Sequence, residues 1–261
     1  MGTDMLEQVI SIVRAAGEKM LSFRAPKVFT KEGHAKFVTE CDLAVQTFLF
    51  THLHPLLPEA VFFAEEQENQ PMTDALTWVI DPIDGTTNLI HNRACSAISV
   101  ALLKNKRPIL AVVALPYVKR IYTAEQGSGA FCNGEPISVG HRPLREAIVS
   151  FGTSPYYTEL ADRSLALAKT FLRCTADIRR TGSAAVDLCD MASGNCDIFF
   201  ELRLSPWDFA AGALLIQEAG GFICGLNDDG TPVPLSFDRP SGLLACAPEH
   251  WSFVEQLITA E

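Results

Sequence analysis

Trp78-Val79-Ile80-Asp81-Pro82-Ile83-Asp84-Gly85-Thr86-Thr87-Asn88 is the stretch on which the reading of this chain turns. An apolar run of strand type meets two carboxylates, and a Gly-Thr-Thr-Asn turn follows at once. Asp81 and Asp84 stand three residues apart at a strand end, where both can enter one small volume. Carboxylates about 4 Å apart repel by about 4 kcal/mol at an effective dielectric of roughly 20, so a fold that gathers them must supply protons or cations. Hard divalent ions such as Mg²⁺ take oxygen ligands of this kind. The turn offers free backbone N–H groups, which suit a phosphate at a turn or helix start. Metal and phosphate together are the first chemistry suggested.

Upstream, Met5, Leu6, Val9, Ile10, Ile12 and Val13 recur at helical spacing and predict an amphipathic helix over 4–23. Pro26 to Lys36, with Lys27, Lys31 and Gly33, reads as a mobile basic loop. Thr39-Glu40-Cys41-Asp42 has capping-box spacing, with Asp in place of Glu or Gln, and opens a second helix. Leu43, Phe48, Leu49 and Leu53 are expected on its buried face. Residues 60–64 and 77–81 read as short buried strands. Downstream of a helix begun near Thr86, strands are expected at 97–103 and 109–115 around a hairpin loop, then at 120–124 and 129–132. Asn133-Gly134 is a tight-turn signal. Four or five consecutive strands suggest an antiparallel sheet with helices on it.

The second half alternates. Helices are expected at 157–172, 183–192, 207–219 and near 249–259, with strands at 176–179, 197–201, 221–224 and 243–247. The change of regime near 135–150 suggests an N-terminal α+β domain, 1–140, and a C-terminal α/β domain, 141–261.

At 261 residues the chain is ample for a sizeable core. With 21 basic and 31 acidic residues its net charge is −10, which argues against a nucleic-acid footprint. Bound ions would offset part of that excess. The N-terminus lacks a basic start and an apolar signal core, and no run of eighteen apolar residues occurs to span a membrane. Eight cysteines show no C-x-x-C spacing, so they read as reduced thiols of a cytoplasmic protein. The six histidines read as surface or packing residues.

Three further acidic motifs sit where strands end or helices begin: Glu65-Glu66 after Phe62-Phe63-Ala64, Asp208 in Ser205-Pro206-Trp207-Asp208, and Asp42. Singly, each has an ordinary reading as a solvated loop or a helix N-cap. Jointly, with Asp81-Pro-Ile-Asp84-Gly-Thr-Thr-Asn88 and Trp207-Asp208-Phe-Ala-Ala-Gly212, they resemble the inositol monophosphatase family of Mg²⁺-dependent, lithium-sensitive phosphomonoesterases. The resemblance runs from the first helix to about residue 247, in the same order and at compatible spacing.

What the resemblance implies can be stated residue by residue. Glu65, Asp81 and the backbone carbonyl of Ile83 would hold a first Mg²⁺. Asp81 would bridge to a second ion completed by Asp84 and Asp208. Glu65 and Glu66 would hold a third, weaker ion through waters, and Mn²⁺ is a possible substitute. Thr86 would position the attacking water, with Glu65 helping to activate it. The N–H groups of Gly85 and Thr86 would bind phosphate. Gly182, Ser183 and Ala184 match the substrate loop, and Glu201 the polyol-binding carboxylate. The fold class expected is α+β / α/β: a layered αβαβα sandwich, with an antiparallel sheet first and an α/β half after it. A homodimer with a complete site in each subunit is expected.

The implied substrate is inositol 1-phosphate or a similar sugar or polyol phosphate. Relatives of the fold also handle fructose 1,6-bisphosphate, histidinol phosphate, NADP or 3′-phosphoadenosine phosphate, and some bacterial relatives bind transcription machinery. Three positions depart from the pattern. Lys36 stands where many relatives have Asp, so the loop is expected to close differently, which bears on the third ion and on lithium. Ala64 replaces Gly before the glutamate pair. Arg203, between Glu201 and Asp208, is either a surface residue or a partner for a second anionic group.

Overall fold

The structure, a computed structural model, describes residues 3–34 and 37–259. Helix α1 (Thr3–Ser22) buries Val9, Val13, Ala16 and Met20, a stripe spaced by three and four residues. Strands β1 (Val28–Thr30) and β2 (Phe37–Thr39) pair antiparallel, so part of the segment read as a mobile loop is a hairpin strand. Lys36 lies outside the described residues.

Thr39 caps α2 (Glu40–Leu53) in the capping box read from the sequence, with Asp42 reaching back to the Thr39 N–H at 2.7 Å. The buried stripe of α2 is Cys41, Val45, Leu49 and Leu53 at strict four-residue spacing. Leu43 falls off that stripe and is 44% exposed, contrary to expectation.

The first sheet has seven strands in chain order: β3 (Val61–Ala64), β4 (Thr77–Asp84), then, after α3 (Thr86–Ile90), β5 (Ala97–Lys104), β6 (Arg107–Leu115), β7 (Arg120–Glu125), β8 (Ala130–Cys132) and β9 (Glu135–Ile137). It is antiparallel except for β3 against β4. Two-residue turns close two of its hairpins, with positive φ at Asn105 and Lys106, and at Asn133 and Gly134. The second sheet takes β10 (Ile148–Phe151), β11 (Asp177–Arg179) after α4 (Ala161–Cys174), β12 (Ile198–Leu204) after α5 (Ala184–Ala192), and β13 (Phe222–Leu226) after α6 (Pro206–Glu218). Strands β14 (Pro232–Val233) and β15 (Ser241–Cys246) complete it, and α7 (Trp251–Thr259) ends the described chain. Its order is β11-β10-β12-β15-β13-β14. Only β11, β10 and β12 run parallel, and the remaining pairings are antiparallel, so the sheet is mixed although helices and strands alternate along the chain.

Strand alternation sorts the core into layers. Trp78, Ile80, Val100 and Leu102 face α1 and α2. Val79, Ala101 and Leu103 face the opposite way, where Leu188 of α5 and Phe209 and Leu214 of α6 meet Phe199 and Leu243 of the second sheet. On the outer face of that sheet, Phe200 and Leu244 pack with Phe171 of α4 and Val254 of α7. The stack is the αβαβα sandwich expected. It points the ends of β3, β4 and β12 and the starts of α3, α5 and α6 toward one place.

Candidate active site

Asp81 and Asp84 meet because β4 is bulged. Asp81 stands opposite Ser99 and Asp84 opposite Ala97, so three steps on one strand match two on its neighbour. In an unbroken strand, residues three apart point to opposite faces, and the extra residue restores them to one side. Gly85 then turns the chain at φ 91, a left-handed conformation that favours glycine. A Cβ there would also press on the Cys95 carbonyl at 3.1 Å. Helix α3 is one turn long, so a phosphate held there would rest on the N–H groups themselves more than on a summed helix dipole.

Each carboxylate is fixed by a neighbour. Ile83 N donates to Asp81 Oδ1 at 2.9 Å. Asp84 Oδ2 receives the Ser183 hydroxyl at 2.8 Å and the Ala185 N–H at 2.5 Å, so it caps α5 from across the site. Ser205 N donates to Asp208 Oδ2 at 2.7 Å at the start of α6. Glu201, on β12, accepts the Ser154 N–H at 2.9 Å.

Glu65, Asp81, Ile83, Asp84, Gly85, Thr86, Gly182, Ser183, Ala184, Glu201 and Asp208 line a single cavity of about 490 Å³. That volume suits a small ligand. Glu66 is not on its wall. Its backbone is bracketed by the Gln46 side chain at 2.9 and 3.1 Å, and its carboxylate turns to Lys31 Nζ at 2.6 Å. Lys31 also stands 3.9 Å from Glu65, so an ammonium group already serves the glutamate pair assigned to a third ion.

Sequence reading missed four participants. Asp42 looked like a helix cap, yet its second oxygen accepts the Thr86 hydroxyl at 2.8 Å. Lys31 was legible only as part of a basic loop. Tyr156 and Tyr157 also line the cavity, and no motif marks them.

Crowding raises the proton affinity of the acids. Burial, then Glu66, pushes Glu65 up to about 8. Burial, then Glu65, Asp84 and Asp208, carries Asp81 well above the carboxylate range. Asp208 is raised by burial and by Asp84. Burial lifts Asp84 to about 6 against the pull of the Ala185 N–H and Ser183 hydroxyl, and lifts Glu201 to about 7. An assembly of this kind gains from any cation that replaces its protons. The donors are all oxygen, which suits Mg²⁺ or Mn²⁺ rather than softer metals. Among the described residues no three acidic, histidine or cysteine side chains form a ready-made ligand cluster, and one oxygen of each aspartate is engaged as above.

A family model described as the inositol monophosphatase family matches residues 3–260. Inositol monophosphatase 3 of Solanum lycopersicum is 34% identical over 226 residues, covering 84% of this chain and 84% of that protein. The putative Nus factor SuhB of Neisseria meningitidis serogroup B is 37% identical over 220 residues, covering 84% and 82%. The solved structure of a Thermotoga maritima IMPase superposes with a TM-score of 0.87 at 29% identity, over 99% of this chain and 98% of that one.

Proposed function

The chain belongs to the inositol monophosphatase family, and on that premise we infer that it is a Mg²⁺-dependent phosphomonoesterase acting on inositol 1-phosphate or a similar sugar or polyol phosphate. One observation carries the reading. Four carboxylates, buried Asp81 and half-buried Glu65, Asp84 and Asp208, interact with one another on a cavity wall that also presents Thr86 and the Gly85 turn.

Glu65, Asp81, Asp84, Asp208 and the Ile83 carbonyl are the groups that would hold two ions, with Glu66 and Lys31 bearing on a third. Such ions, when bound, offset the phosphate charge and acidify a coordinated water. The Thr86 hydroxyl has Asp42 Oδ1 at 2.8 Å and the Ile83 carbonyl at 3.1 Å as acceptors for its proton, so Thr86 Oγ1 is left to accept from the attacking water and orient it. Glu65, on the same cavity wall, would take the water's proton as a carboxylate. The water oxygen bonds to phosphorus, the ester P–O bond breaks, and the leaving alkoxide takes a proton from a solvent water to depart as the alcohol. Gly85 and Thr86 N–H groups hold non-bridging phosphate oxygens, while Glu201 accepts vicinal hydroxyls beside Gly182, Ser183 and Ala184.

Phosphate release from inositol 1-phosphate, with and without Mg²⁺, tests the reading beside Asp81→Asn. Metal-dependent turnover that the variant loses supports it, and turnover indifferent to both overturns it. The variant also separates catalysis from the transcription role suggested by the name of the SuhB relative, which needs no turnover. A homodimer, inhibition by Li⁺ at the weakest ion site, and a cytoplasmic setting complete the proposal. All eight cysteines are free thiols, which suits a reducing compartment. No described helix is long and apolar enough to cross a membrane.

A further inference from the structure

Arg203 and the loop 154–157 remain on the cavity wall once the carboxylates, Thr86 and the substrate loop have roles. Strand β12 loses register with β15 between Glu201 and Leu204, three steps against two. The bulge takes the Arg203 backbone out of the ladder, and Ser154 satisfies it. Arg203 N donates to Ser154 Oγ at 3.0 Å, and the same hydroxyl donates to the Arg203 carbonyl at 3.0 Å. Ser154 adopts a left-handed φ of 44 to do this, and Tyr157 N closes the loop on the Ser154 carbonyl at 2.8 Å. The result seats the Arg203 guanidinium 5.0 Å from the centre of the Tyr157 ring.

That guanidinium is under-used. Its Nε is buried and meets no acceptor among the described residues. Its Nη1 faces Asp228 at 3.5 Å, but the Asp228 side chain is 99% exposed, and such a pair contributes little. A planar fork stacked on an aromatic ring is already oriented for bidentate contact with phosphate. Arg180 borders the same loop, its Nε on Thr153 Oγ1 at 3.2 Å. Both arginines lie near Glu201, the end of the cavity assigned to the alcohol, whereas the scissile phosphate belongs at Gly85 and Thr86.

We propose that Arg203, stacked on Tyr157, forms a subsite for a second, non-scissile phosphate on the leaving-group side. The chain therefore takes bisphosphorylated polyols or nucleosides in preference to monophosphates. The proposal rests on the phosphatase reading above and puts a bisphosphate in place of inositol 1-phosphate as the preferred substrate of that site.

The test compares kcat/KM for fructose 1,6-bisphosphate and adenosine 3′,5′-bisphosphate with that for inositol 1-phosphate, in wild type, Arg203→Ala, Arg203→Lys and Asp228→Ala. The wild type should favour at least one bisphosphate, and whichever scaffold carries the preference names the substrate. Arg203→Ala should lower the bisphosphate-to-monophosphate ratio by about tenfold or more, chiefly through KM, as loss of a charge-assisted contact implies. Arg203→Lys should recover part of it. Asp228→Ala removes the competing carboxylate and should raise the ratio about twofold, so a shift is expected even if the alanine variant does not fold. A ratio unmoved by Arg203→Ala and Asp228→Ala, or a wild type that prefers the monoester, overturns the subsite. If the wild type releases phosphate from no ester, the phosphatase reading has failed. The subsite is then decided by equilibrium binding of adenosine 3′,5′-bisphosphate: weaker binding to Arg203→Ala supports it, and equal affinity overturns it.

Discussion

Thr86 Oγ1 lies 2.8 Å from Asp42 Oδ1, joining the turn after β4 to the first turn of α2 across 44 positions of sequence. Asp42 therefore does two jobs, since its other oxygen accepts the Thr39 N–H in the capping box.

Removing either partner should misplace the attacking water. Asp42→Asn keeps a capping side chain but loses the carboxylate that fixes the Thr86 proton, and Thr86→Ala loses the hydroxyl. Each should lower kcat by about 10²- to 10³-fold with a smaller change in KM. Because the two act as one unit, the double variant should cost little more than either single one. Kinetics showing fully multiplicative losses would separate them.

Much of this was legible in the sequence, for reasons that particular residues make plain. Two specific motifs named Asp81, Asp84 and Asp208, and continuous apolar runs bounded by turn residues named the central strands, because those features are local. The parallel-to-antiparallel switch in the second sheet was not legible, since helix–strand alternation is the same for either direction. The short strands at 28–30, 135–137, 148–151 and 232–233 carried too few residues to show a period. Asp42 hid behind its cap, and Tyr157 and Ser154 had no motif. Their roles come from long-range contacts that spacing does not encode.

Proton uptake should compete with cation binding. Glu65, ordinarily at 4.5, is raised to about 8, and Asp84, ordinarily at 3.8, to about 6. Between those values the folded chain holds more protons than the unfolded one, so stability falls as pH rises through this window. In chelator, the contribution of these acids should lower Tm from about pH 4 to about pH 8. Mg²⁺ should raise Tm more near pH 8 than near pH 5, where it must first displace protons. Equal Mg²⁺ shifts at both values would contradict the cluster's role.

Lys31 should be felt by the ions. Its Nζ lies 2.6 Å from the Glu66 carboxylate and 3.9 Å from Glu65, and its charge repels a cation approaching that pair. In Lys31→Gln the Mg²⁺ concentration for half-maximal activity should fall by about threefold, most clearly at low ionic strength where screening is weak. A midpoint that stays put or rises would mean that the ammonium assists the ions instead.

Gly152 sits where any side chain would strike Glu201: a Cβ built there overlaps the carboxylate. Glu201 is the flexible partner and should yield, abandoning the Ser154 N–H that holds it at 2.9 Å. The stability cost of Gly152→Ala should then be modest, about 1 kcal/mol for one displaced hydrogen bond. The functional cost should fall on alcohol recognition. KM for inositol 1-phosphate should rise about tenfold with a smaller change in kcat, the signature of lost ground-state binding. An ester without vicinal hydroxyls, such as p-nitrophenyl phosphate, should be turned over as before, because the carboxylate cluster and Thr86 are untouched. Parallel losses on both esters would show that Glu201 supports the reacting centre rather than the polyol.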